Sequence, residues 1–163
     1  MSRPDCAIIG AWKLLSFSLS LVEKPEEPIF RPLGDAPLGR IAFSSNGFMS
    51  CLLMPKSNAE PLDTSLWAQA SDDDILRVAR PFTAYCGPFR TYEENGNAML
   101  STMVDVSLDP NWIGGPQVRK WSVRSEGGRE LLTLQPAQEF VLPDGTRTVG
   151  LLVWEKTGQN GKL

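Results

Sequence analysis

"LGRIAFSSNGFMSCLLM", residues 38–54, is the stretch that decides the fold. Asn46-Gly47 stands at its centre, and this dipeptide accepts the positive φ angles that a tight hairpin turn demands. On both sides apolar residues alternate with small or polar ones, the period of a strand with one covered face. Three further dipeptides repeat the arrangement: Asn95-Gly96, Gly127-Gly128 and Asp144-Gly145 each sit between two alternating runs. Working outward from them gives strands near 10–22, 39–45, 48–54, 87–94, 98–107, 117–125, 130–135 and 147–155, with a short one around 28–32. Neighbouring strands joined by short turns, with no strand–helix–strand rhythm, exclude a parallel sheet. About eight antiparallel strands either leave two open edges or close on themselves, and closure removes the edges while leaving an interior for side chains or one small ligand. The expected fold class is therefore all-β: an up-and-down antiparallel barrel of about eight strands with one short helix.

The helix is legible at Ser71. A hydroxyl there caps the first turn, Asp72, Asp73 and Asp74 follow where the helix dipole favours acids, and Pro81 stops the run near Arg80. The three aspartates read as that cap and not as a metal cluster, because Leu76 breaks the DDxxD spacing. Residues 23–28 and 31–40 read as proline-rich connectors, 55–70 as a loop with a turn of helix near Trp67, and 157–163 as a frayed tail. The 163 residues are expected to form a single domain, 1–163.

Composition narrows the partners. A net charge of -3 without a basic cluster argues against nucleic acid or an anionic membrane surface. "LLSFSLSLV", 14–22, has the length of a signal-peptide core, but its serines alternate with apolar residues as in a strand. Three widely spaced cysteines, Cys6, Cys51 and Cys86, suggest free thiols in a reducing, cytoplasmic setting. Histidine is absent, so a metal site would need carboxylates alone and the usual base near neutral pH is missing. No dinucleotide, haem or phosphate-cradle motif is present, so no cofactor is expected.

"GAWKLLSF" (10–17), the 38–54 hairpin, "AYCGPFRTYEENG" (84–96), "SLDPNWIGGPQVRKW" (107–121) and "GLLVWEK" (150–156), taken in order, resemble the small lipocalin-like domain family. The resemblance implies a calycin-type barrel with an internal pocket for a small organic molecule. Its bacterial and fungal members include proteins of natural-product pathways, some acting as cofactor-free cyclases or isomerases on polyketide- or terpenoid-derived intermediates. This chain departs from the family where a histidine pair is common, in the strand of Ser101, Thr102 and Met103, and where a second tyrosine is replaced by Phe89.

Alternation in 117–123 puts Gln117, Arg119, Trp121 and Val123 on one face and the wetter set of Val118, Lys120 and Ser122 on the other, so the first is the inside. An inward Arg119 must meet a carboxylate, carbonyls or a ligand. Asp105 is the carboxylate considered, as its strut or as an acid with raised pKa, though the pattern equally allows it to face out. Tyr85 and Tyr92, the two tyrosines, are candidate proton donors or plain core residues. The candidate catalytic set is Arg119, Tyr85, Asp105 and Tyr92. The candidate ligand contacts are Trp12, Ser16, Ser50, Trp112, Gln117, Trp121 and Trp154. Glu139 is a rim residue, and Cys51 and Cys86 read as small buried hydrophobes. In the first strand the resemblance places Trp12, Leu14, Ser16 and Ser18 inside, whereas the pattern alone prefers Leu15, Phe17 and Leu19. The expected function is a cofactor-independent isomerase or cyclase on a hydrophobic intermediate. The alternatives are a non-catalytic carrier and a structural module with a filled core, and a homodimer stays open.

Overall fold

The computed structural model describes residues 6–158. Its strands are β1 (Gly10–Leu21), β2 (Lys24–Phe30), β3 (Leu38–Phe43), β4 (Phe48–Met54), β5 (Thr83–Glu94), β6 (Asn97–Met103), β7 (Val106–Ser107), β8 (Pro116–Glu126), β9 (Arg129–Pro136), β10 (Phe140–Val141) and β11 (Arg147–Lys156), with helix α1 (Asp72–Ala79) before β5. Consecutive long strands pair antiparallel, and β1 pairs with β3 on one side and β11 on the other. That last pairing closes an eight-stranded barrel, to which β2, β7 and β10 are additions.

The 38–54 hairpin shows why this sequence closes. Ile41 lies opposite Cys51 and Phe43 opposite Met49, all buried on the inner face, while Arg40, Ala42 and Leu52 remain outside. Gly47 turns the chain at φ +86°. The same alternation around the wall fills one end of the barrel with Trp12, Phe43, Met49, Leu100, Leu132 and Phe89. Trp12 donates its indole N–H to the Ile8 carbonyl at 2.9 Å and lies under the Lys156 ammonium, 5.2 Å from the ring centroid. Ser71 caps α1 by accepting from the Asp74 amide, and three acids follow in the first turn. Among the described residues no helix is long and apolar enough to cross a membrane.

Four local expectations are corrected. The first strand needs both of its proposed parities: a bulge at Leu15, between the Leu14–Trp154 and Ser16–Val153 pairs, shifts the register by one residue. Trp12 and Leu14 face in before it and Phe17 and Leu19 after it, which turns Ser16 to the outer side. The expected connector 23–28 is part of β2, an exposed ribbon on the far half of β1, where Pro25 and Pro28 are tolerated because an edge strand leaves one side unpaired. The expected strand 98–107 breaks after Met103, and Val106–Ser107 pair with Tyr85–Cys86 of β5 instead. The break follows from a close crossing at Gly87, where a Cβ would fall on the Met103 carbonyl oxygen. Thr157, expected in the frayed tail, is held by its amide and hydroxyl to the Ala11 carbonyl, 2.9 and 2.8 Å; residues 159–163 lie outside the described part.

Candidate functional site

At the end of the barrel away from Trp12 the interior is not filled. A cavity of ≈ 340 Å³ opens there, at the small end of the range that ligand pockets occupy, about 300–1,000 Å³. Its wall is mostly apolar: Ile41 and Leu53 from the central hairpin, Leu134 from β9, Leu152 and Trp154 from β11, and Phe17 from the strand segment that the bulge turned inward. Gln138 and Glu139, between β9 and β10, and Phe140 of β10 form part of the rim, with Phe140 packed against Phe17 at 6.2 Å between ring centroids.

The polar groups converge from three strands. Arg119 and Gln117 come from β8, Tyr85 from β5 and Cys51 from β4. Arg119 is half-buried; its guanidinium donates to the Val118 carbonyl at 2.9 Å and to Gln117 Oε1 at 3.1 Å. It also acts on the Tyr85 hydroxyl, whose other neighbour is the Cys51 thiol. Burial is the main force on both of these acids. It pushes the Cys51 thiol up to about 12 and the Tyr85 phenol well above its ordinary 10.0, with Arg119 opposing in each case. Both therefore keep their protons near neutral pH. Tyr85 is fixed further by Trp112, edge-on at 5.3 Å and 82°.

No carboxylate lies within ion-pair distance of Arg119 among the described residues. The strut considered for it, Asp105, sits exposed in the break after β6 and does not line the cavity. Glu139 does line the rim, but both its oxygens accept from Arg147, at 2.6 and 2.8 Å. Trp154 is fully buried in the wall, and its indole N–H has no partner among the described residues.

Of the residues singled out from the sequence, Arg119, Tyr85, Gln117, Trp112 and Trp154 line this one cavity. Trp12 plugs the opposite end, and Trp121 is buried with its N–H on the Met99 carbonyl at 3.2 Å. Tyr92 lies under Arg90, 5.3 Å from its ring centroid, away from the cavity. Ser50 alternates with the inward Met49 and Cys51 and so points out, as Ser16 does after the bulge. Residues the sequence reading missed are Phe17, hidden by the bulge, and Cys51, whose inward parity was legible but whose contact with Tyr85 was not. Among the described residues no group of three or more His, Cys, Asp or Glu is placed to hold a metal.

The closed barrel, its inner cavity and the motif order are accounted for together by one comparison: the model of the lipocalin-like domain matches residues 9–157. The chain belongs to the lipocalin-like domain family. Neither a curated protein nor a solved structure matches it. Within this lipocalin-like barrel the cavity suits a small hydrophobic ligand, with polar contacts concentrated at Arg119, Gln117 and Tyr85.

Proposed function

We propose that this protein binds one small, mostly apolar molecule inside the barrel and holds an oxygen of that molecule against Arg119 and Tyr85. The observation that carries this reading is a guanidinium facing an apolar cavity with no carboxylate within ion-pair distance among the described residues. Such a group is costly to desolvate without a partner, and its planar fork of donors suits a carbonyl or carboxyl oxygen. The free, buried Cys51 thiol fits a reducing compartment, so the proposed setting is cytoplasmic.

A second reading adds chemistry: a cofactor-independent isomerase or cyclase acting on a polyketide- or terpenoid-type intermediate of secondary metabolism. It is favoured by Tyr85 standing protonated beside Arg119. Two donors on one carbonyl oxygen stabilise the negative charge that develops on enolisation or ring closure, and a dry wall that fixes one conformer lowers the barrier further. Neither Tyr85 nor Cys51 is ionised to act as base, and Glu139 is engaged by Arg147. The reaction the site suits is therefore one whose proton passes between groups of the substrate itself.

The test incubates wild-type protein and Arg119→Ala with an extract of small metabolites from the source cells, followed by chromatography with mass detection. A compound retained unchanged by the wild type only is the outcome expected for binding. A product of unchanged mass and altered retention establishes the isomerase reading, and loss of water establishes a dehydrating cyclase. Equal behaviour of both proteins toward every compound rejects the role given to Arg119.

A further inference from the structure

We infer that the molecule held in the barrel is an anion, a carboxylate or acidic enolate on an apolar body, whose charge completes Arg119. The inference rests on the binding function proposed above and names the class of ligand.

The cavity wall holds four groups that bear on charge: Arg119, Glu139, Tyr85 and Cys51. Tyr85 and Cys51 are neutral, since burial raises both. Glu139 spends both carboxylate oxygens on Arg147. Arg119 is left with neutral partners only, one backbone carbonyl, the Gln117 amide oxygen and the Tyr85 hydroxyl, and a guanidinium has more N–H groups than those bonds use. The neighbouring amide on β8 has the same sense. Gln117, with its oxygen taken by Arg119, has its amide N–H groups unspent among the described residues. The wall thus offers one full positive charge and unspent donors, and it lacks a free acceptor of matching charge.

Filling such a cavity changes what the ligand must supply. Arg119 is half-buried, so water reaching through the mouth hydrates it. An apolar molecule seated on Phe17, Leu134 and Leu152 displaces that water. A neutral ligand would return a dipole and leave a cation without a counter-charge in an apolar wall, which is costly. A carboxylate or enolate returns a charge, in the geometry the guanidinium fork is built for.

Two probes of one aromatic framework test this: neutral N-phenyl-1-naphthylamine and the anionic 8-anilinonaphthalene-1-sulfonate, titrated by fluorescence into wild type, Arg119→Gln, Arg119→Lys and Arg40→Gln. The last variant controls for the apolar groove on the outer wall flanked by Lys13 and Arg40, where an anionic dye would also sit. The expected result is about a tenfold preference of wild type for the anion. Arg119→Gln loses this preference while still binding the neutral probe, Arg119→Lys keeps part of it, and Arg40→Gln keeps all of it. Equal binding of the two probes by wild type overturns the inference, and so does a preference that survives in Arg119→Gln or vanishes in Arg40→Gln. Should Arg119→Gln not fold, the wild-type ratio and the Arg40→Gln control decide by themselves. If neither probe binds wild type, the ligand cavity and the inference fall together; if only the neutral probe binds, the cavity stands and the anion does not.

Discussion

Tyr85 stands between Arg119 and Cys51, and the balance on these three residues sets the charge of the cavity. Desolvation dominates at the thiol: it lifts Cys51 from 9.0 to about 12 despite the nearby guanidinium. The sign for stability follows. Below about pH 9 the thiol is protonated whether the chain is folded or not, so it contributes no pH dependence. Between about 9 and 12 the unfolded chain loses that proton while the folded barrel holds it, so stability falls as pH rises, at up to roughly 1.4 kcal/mol per pH unit. Tyr85, also raised, continues the trend above its ordinary 10.0. Urea unfolding of wild type and Cys51→Ala across pH 8–11 checks it. The expected result is a shallower alkaline decline in Cys51→Ala, whatever its stability at neutral pH; parallel curves would mean that the thiol titrates normally.

At the scale of elements, two irregularities position the site. The Leu15 bulge lets one strand bury Trp12 at the plug and Phe17 at the cavity, which unbroken alternation with Leu14 does not allow. The crossing at Gly87 lets the chain leave β6, return beside β5 as β7 and bring Trp112 against Tyr85. Gly87 has no positive φ to explain it; its constraint is space, since a Cβ has only backbone to meet there, Met103 and the Asp105 amide. Backbone does not yield as a flexible side chain does, so Gly87→Ala is expected to cost about 3 kcal/mol, the upper end for overpacking. Thermal melting of the variant measures this, and a melting temperature within a degree or so of wild type would show that the crossing relaxes freely.

For the whole molecule, closure is achieved by pairing β1 with β11 along most of their length and is finished by Thr157 on the Ala11 carbonyl. One end of the barrel is packed solid and the other keeps a void of ≈ 340 Å³. That void forgoes packing contacts. A ligand that fills it binds the closed barrel and not the unfolded chain. At a ligand concentration one hundred times Kd the linkage is about 2.7 kcal/mol, which for a chain of this size raises Tm by about 5–10 °C. Scanning calorimetry with and without the compound retained from the extract checks the prediction; an unchanged Tm at saturation would mean that the compound does not bind the folded barrel in preference to the unfolded chain.

The sequence by itself determined the barrel. Its turn dipeptides and period-two runs are local signals, and an inside face and an outside face follow from alternation wherever a strand is unbroken, as along Gln117, Arg119, Trp121 and Val123. The plug at Trp12 and the separate identity of 24–30 as an outer ribbon were only half legible, because a bulge or an edge leaves no fixed mark on composition. What tertiary structure alone decided is the company each inward group keeps. Asp105, expected on the strand next to that of Arg119, suggests a pair, yet the crossing at Gly87 sends Asp105 to solvent and brings Tyr85 and Cys51, from other strands, to the arginine. Register and crossing are set by long-range packing, and so the missing counter-charge of Arg119, on which the proposed chemistry depends, appears only once the barrel has closed.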